Sequence, residues 1–155
     1  MSINVETINP FVTAAFTVFE ILLGESPTKG ALTLQPTVFT SQRCNVVIGI
    51  TGQLAGSVIF GMSGPTALQI GSTMLGQTVT LFDALVASAI AEMGNMICGT
   101  ALRNLSDAGY HCDITPPTIV RGDAQIQTLS VPALVMPLNT AHGPIYMIVG
   151  LQNRK

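Results

Sequence analysis

Two side chains in this sequence have the types and spacing to act together. Glu92 and Asn95 stand three residues apart in TLFDALVASAIAEMGNMICGTALRNLSDAG, residues 80 to 109. On a helix, an i, i+3 pair projects to one side. A carboxylate can grip a cation on a partner. A carboxamide both donates and accepts, so it can hold a water in a chosen orientation. At about 100° per residue, Ser88 and Gly99 fall on the same narrow stripe, adding a small hydroxyl and a position with no side chain. Alone, the pair is weak: Glu-x-x-Asn arises by chance in roughly a third of chains this long. A solvated face of an amphipathic helix accounts for it without any function.

The element that must position the pair is one long helix over this stretch. Thr80 and Asp83 have the spacing of a capping box, and Gly109 can end the helix in the left-handed conformation. Leu85, Val86, Ala89, Ile90, Met93, Met96 and Ile97 recur at helical spacing and define a buried face. Gly94 and Gly99 each cost a helix about 1 kcal/mol relative to Ala. Close approach by another surface is one reason to carry them.

Around that helix the chain reads as an α-β-β-β pattern given twice. Residues 3 to 23 predict a first helix, with Asn9-Pro10 either as a cap and first-turn pair or, if the helix starts earlier, as a bend within it. Strands follow over 31 to 40, interrupted by Pro36, then over 43 to 51 and 54 to 62. Gly52-Gln53 makes the turn between the last two, and Gly56 and Gly61 suggest tight packing or a bulge. Gly64-Pro65 opens a short helix to about Leu75, which Gly76 stops. After the long helix, strands are expected over 113 to 122, 125 to 137 and 144 to 152. The expectation is one α+β layered domain over 1–155, with an antiparallel or mixed six-stranded sheet covered by two long helices. The spacing Ser88, Glu92, Asn95 recurs as Ser2, Glu6, Asn9, but Pro10 argues that Asn9 is a cap.

Composition narrows the function. The 155 residues are 48% hydrophobic and only 9% charged, which suits a large buried fraction and a subunit interface. Six Lys and Arg are scattered and net charge is −2, so no nucleic-acid footprint is present. No continuous apolar run has the length to span a bilayer, and no signal-peptide pattern opens the chain. Cys44, Cys98 and Cys112 are unpaired in number and far apart, which fits reduced thiols in a cytoplasmic protein. His111 and His142 lack metal-ligand spacing. There is no P-loop, dinucleotide motif or nucleophile elbow. The chain is poorly equipped to be a self-contained enzyme, and well equipped to complete a partner's active site.

Four stretches together resemble the CheC, CheX and FliY group of bacterial chemotaxis phosphatases: INPFVTAAFTVFEILLG (8 to 24), VVIGITGQLAGSVIFGMS (46 to 63), SAIAEMGNMICGTA (88 to 101) and DITPPTIVRG (113 to 122). The single Glu-x-x-Asn helix followed by Asp-Ile-Thr-Pro-Pro resembles the CheX type more than the CheC type. The resemblance implies hydrolysis of the aspartyl phosphate on a CheY-like response regulator. It implies that Glu92 pairs with a lysine of the regulator and Asn95 orients the attacking water. Ser88 and Gly99 then let the helix lie close. It further implies no cofactor of the chain's own, magnesium and aspartates supplied by the regulator, a cytoplasmic homodimer, and no membrane or nucleic-acid partner. The alternative is a non-catalytic module that docks on a regulator or a flagellar-switch component.

Overall fold

A computed structural model describes residues 5–35, 38–40, 42–122, 125–127 and 133–154. In chain order the elements are α1 (Val5–Leu23), β1 (Thr28–Lys29), β2 (Thr33–Gln35), β3 (Val38–Thr40), β4 (Cys44–Gly52), β5 (Leu54–Met62), α2 (Gly64–Leu75), α3 (Ala84–Asp107), β6 (Cys112–Ile114), β7 (Thr118–Arg121), β8 (Gln125–Gln127), β9 (Ala133–Thr140) and β10 (Gly143–Asn153). The α+β layered architecture is as expected. Among the described residues the sheet has eight strands rather than six, and every pairing is antiparallel. β3 and β8 form a separate two-stranded ribbon. Two expected strands divide: 31 to 40 into β2 and β3, and 113 to 122 into β6 and β7. Pro36 and residues 128–132 of the expected strand 125 to 137 lie outside the described residues.

The sheet runs β1-β9-β10-β5-β4-β6, with β2 also on β9 and β7 also on β4. Two hairpins, β4–β5 and β9–β10, meet at its centre through the β5–β10 pairing. The strands after α1 pair with the second hairpin, and the strands after α3 pair with the first. The duplication seen in the sequence is therefore an exchange, in which each half completes the other's sheet.

Local chemistry sets the joints. Gly52 closes the β4–β5 hairpin at φ +111°, a conformation that favours glycine. Pro116 and Pro117 interrupt the edge between β6 and β7, where a missing N–H is tolerated. Thr115 repairs the gap: its N–H donates to the Gly49 carbonyl at 2.9 Å, and its hydroxyl oxygen accepts from the Gly49 N–H at 2.9 Å. Buried Asn45 ties β7 down, with Nδ2 donating to the carbonyls of Gln42 (2.7 Å) and Val120 (3.1 Å).

All three helices belong to one layer on the sheet, and the main core lies between. Val46, Ile48, Phe60, Met62 and Met147 rise from the sheet to meet Phe11, Phe19, Ile90, Met93 and Ile97. Both α1 and α3 are long and apolar enough to cross a membrane by length and composition, with mean hydropathies of 1.3 and 1.4. Most of their apolar residues face this core, and exposed positions include Glu20, Glu92 and Arg103. That is the pattern of core helices.

The helix starts differ from the cap readings. Asn9 is not a cap: of the two starts open for the first helix the earlier one holds, and α1 (Val5–Leu23) carries Pro10 inside it. Burial of Thr7, Ile8 and Phe11 holds the preceding turn in place, against a proline cost of about 3 kcal/mol. Thr80 does not cap α3. Asp83 does, with its Oδ1 accepting from the N–H groups of Leu85 (3.1 Å) and Val86 (3.0 Å). Gly109, at φ +94°, ends α3 as expected.

Gly94 is the seat of α3 on the sheet. A Cβ there would meet Val46 Cγ1 at 3.0 Å and Ile48 Cδ1 at 3.1 Å. Gly94→Ala is expected to destabilise the fold by up to about 2 kcal/mol, since overpacking costs about 1–3 kcal/mol against a gain in helix propensity of about 1 kcal/mol. A lower urea midpoint at constant m-value checks this. An unchanged or raised midpoint contradicts the seating.

Candidate active site

The site is built on α3 by subtraction. Val86, Ala89, Ile90, Met93, Gly94, Ile97, Cys98, Ala101 and Leu105 are buried. What is not buried between Asp83 and the helix midpoint is three alanines, Ala84, Ala87 and Ala91, together with Leu85, Ser88, Glu92 and Asn95, followed by Gly99 one turn on. Glu92 and Ser88 are exposed, and Asn95 and Gly99 are half-buried. Among the described residues, no hydrogen bond or ion pair engages the side chains of Ser88, Glu92 or Asn95. The four residues expected to share a stripe do so, with their polar groups uncommitted.

The ends of the helix are braced. At the start, the Arg121 guanidinium lies over the Phe82 ring at 4.0 Å, and its Nη1 donates to the Phe82 carbonyl at 3.5 Å. At the end, the Tyr110 N–H donates to the Leu105 carbonyl at 2.9 Å. The two glycines serve different purposes. Gly94 is buried against the protein's own sheet, so it gives no support for a partner. Gly99 faces open space, with nothing within 4 Å of an added Cβ.

Leu85 contradicts its expected place in the core: it is 49% exposed. It lies about 100° around the helix from fully buried Val86, beyond the edge of the apolar face. Its relation to Glu92, seven residues or two turns on, is the signal that assigns it to the stripe. Met96, also expected in the core, packs against it only in part.

The second copy of the spacing is carried by α1. Glu6 and Asn9 are exposed there and line a shallow hollow with Pro10, Thr13, Asn104, Ala108 and Tyr110, against the far end of α3. Ser2 lies outside the described residues.

Other chemistry-bearing side chains are committed elsewhere. The His142 ring meets Gln69 Oε1 at 3.0 Å and Thr73 Oγ1 at 3.2 Å, fastening the β9–β10 turn to α2. His111 is exposed in the loop after α3, where its N–H donates to Gln53 Oε1. Among the described residues, no three His, Cys, Asp or Glu side chains are placed to hold a metal.

Comparison with known proteins then decides the family. The family model of the chemotaxis phosphatase CheX matches residues 44–139. The chain belongs to the CheX family. It is 35% identical over 134 residues to the CheY-P phosphatase CheX of Thermotoga maritima, covering 85% of this chain and 86% of that protein. A crystal structure of the chemotaxis protein CheX from Desulfovibrio desulfuricans superposes with a TM-score of 0.85 at 27% identity, covering 96% of this chain and all of that one. A Borrelia burgdorferi CheX, solved in complex with CheY, BeF3 and magnesium, superposes at 0.78 with 26% identity, covering 97% of this chain and all of that one. The resemblance read from four stretches is thus a family membership.

The cysteines are consistent with a CheX whose chemistry does not use thiols. Burial pushes the Cys98 thiol up to about 12. Burial also raises Cys44, to about 11, despite the nearby Arg121 charge. Both stay protonated at neutral pH and are poor nucleophiles. Because the folded values lie above the ordinary 9.0, the stability they confer is whole below about pH 9. It is lost as pH climbs toward the raised values. Thiol titration at pH 8 is expected to label half-buried Cys112 first and the other two only on unfolding. Rapid labelling of Cys98 in the folded protein contradicts its burial.

Proposed function

We propose that this chain hydrolyses the aspartyl phosphate of a CheY-like response regulator, with Glu92 gripping the regulator and Asn95 orienting the attacking water. The observation that carries this reading is the uncommitted Glu92–Asn95 pair on the outward stripe of a helix whose rotation the core fixes. The family membership supports it. So does the naming of the Thermotoga maritima relative as a CheY-P phosphatase and the existence of a CheX–CheY complex from Borrelia burgdorferi.

The chemistry asks little covalent work of this chain. Water oxygen attacks phosphorus in line, the bond from phosphorus to the aspartyl oxygen breaks, and inorganic phosphate, a free carboxylate and a proton result. The regulator's aspartates hold its magnesium, which supplies charge stabilisation at the phosphoryl oxygens. Asn95 contributes orientation: its carbonyl oxygen accepts from the water while its amide N–H donates toward the phosphoryl group. Glu92 pairs with a lysine of the regulator and fixes the depth of entry. Ser88 and Gly99 keep the stripe low, so the helix can approach a recess. The protein works where such regulators work, in the cytoplasm, and its low charge content favours a homodimer.

The reading against a purely docking module rests on Asn95. A scaffold gains little from a half-buried carboxamide with no partner, because such a group is costly to enclose unpaired. Asn95→Ala is expected to restore the lifetime of an acetyl-phosphate-loaded CheY-like regulator nearly to its intrinsic value, a loss on the order of 10²-fold, with binding retained. Glu92→Ala is expected to weaken productive engagement, and the loss should be smaller at high salt because an ion pair is screened there. Activity kept in Asn95→Ala, or no shortening of regulator lifetime by the wild type, overturns the reading.

Gly99 offers a separate check. Gly99→Ala is expected to raise stability by about 0.5–1 kcal/mol, since helix propensity improves and no neighbour is touched. The same substitution is expected to slow dephosphorylation if the stripe docks closely. A variant that is more stable and fully active removes Gly99 from the interface.

A further inference from the structure

We propose that Leu81 and Leu85 form the apolar anchor that seats the CheY-like regulator and dries the ion pair made by Glu92, an inference that rests on the reading above. Exposed large hydrophobic side chains are found at five places among the described residues, and two of them lie here, four residues apart: Leu81 at 77% and Leu85 at 49% exposure. Scattered single apolar residues need no explanation, whereas two exposed leucines at one helix start invite a partner.

Their position ties them to the same occupant. Leu85 is two turns before Glu92, within about 20° around α3 and about 10 Å along its axis. Half-buried Met96 follows Glu92 by one turn. The carboxylate is thus flanked along the stripe by apolar side chains on both sides. Any domain that brings a lysine to Glu92 and an aspartyl phosphate to Asn95 must cover Leu85.

The anchor is rigid before binding. The Asp83 N–H donates to the Leu81 carbonyl at 3.0 Å, and Asp83 caps the helix. Arg121, stacked on Phe82, pins the intervening residue. A braced turn presents its side chain with little ordering cost on association. Arg43 and Arg121 line the hollow beside Leu81 and Phe82. They place positive charge next to Leu81.

Magnitudes also require an anchor. An exposed ion pair contributes at most about fivefold to a binding constant. Asn95, matched to the transition state, adds rate rather than ground-state affinity. Affinity must come from elsewhere on this face, and the adjacent apolar surface is the leucines. Covering them expels water around Glu92, which lowers the local dielectric and strengthens its pairing.

The test compares Leu85→Ser, Leu81→Ser and Leu85→Met with the wild type. The probe is the CheY-like regulator of the lifetime assay, loaded with acetyl phosphate for turnover and with beryllofluoride and magnesium for binding. Leu85→Ser is expected to raise KM and Kd about tenfold while kcat moves less than twofold. Leu81→Ser should raise them less, and Leu85→Met should restore wild-type values. Because both leucines are exposed, Tm should not change. An unchanged KM in Leu85→Ser overturns the anchor, and so does a fall in kcat without a rise in KM. A marked drop in Tm assigns Leu85 to the fold and also overturns it. If the wild type is active and Asn95→Ala is not, yet Leu85→Ser keeps its KM, the anchor alone is wrong. If the wild type shortens no regulator's lifetime, the phosphatase reading falls and the anchor with it.

Discussion

The seating of α3 on β4 and β5 is the contact on which the rest depends. Val86, Ile90, Met93, Ile97 and Leu105 are fully buried on the inner face of α3, and Gly94 lets that face close onto Val46, Ile48 and Phe60. Turning α3 by one residue would expose that row, at a cost on the order of 10 kcal/mol. The rotation of the helix is therefore set by its core face. The direction of Glu92 and Asn95 follows as a consequence, with no hydrogen bond needed to aim them. A site aimed by packing can leave its polar groups open for a partner.

The sheet extends that control to the start of the helix. Pro116 and Pro117 end one edge strand, and Thr115 stitches the gap to Gly49. Asn45 holds the next strand at Val120. That strand ends in Arg121, whose guanidinium covers Phe82 one residue before the helix cap. A motif that looks like a simple strand entry, Asp-Ile-Thr-Pro-Pro, thus connects by covalent and non-covalent steps to the position of α3. The exchange of strands between the two halves adds to this, because neither hairpin has its outer neighbour from its own half.

What was legible in the sequence divides along the same physical line. β5 reads correctly to the residue, Leu54–Met62, because its boundaries are set by local turn chemistry at Gly52-Gln53 and Ser63-Gly64-Pro65. α2 reads correctly for the same reason. The errors fall where tertiary packing overrides a local signal. Asn9-Pro10 has the chemistry of a helix start, yet burial of Ile8 and Phe11 carries the helix past it. Leu85 matches an apolar periodicity, yet no core lies beneath it. Helical spacing separates Gly99 from Gly94, yet the surroundings each one meets could not be read from it: one is closed by the sheet, the other is open. The stripe itself was legible because helical spacing fixes it once the buried face is known. Its apolar margin was not, because exposure of a leucine depends on what the rest of the chain fails to cover.

The distribution of local costs along α3 makes the final argument. Its inner face obeys every rule of a core helix: large apolar residues, fully buried, with one glycine that the packing demands. Its outer face breaks several in a row. Gly99 gives up helix propensity with no contact to show for it. Ser88, a poor helix former in mid-helix, has no hydrogen-bond partner among the described residues. Asn95 is half-buried with no partner for its amide among the described residues, and Leu85 is half-exposed. Each is a small penalty, about 0.5–1 kcal/mol in propensity or lost burial, and none improves the isolated fold. Random drift would scatter such departures over the surface. Here they share one stripe, two turns either side of Glu92. Local rules are broken together where a sequence is answering to something outside its own fold, and on this helix that something meets the protein at Glu92 and Asn95.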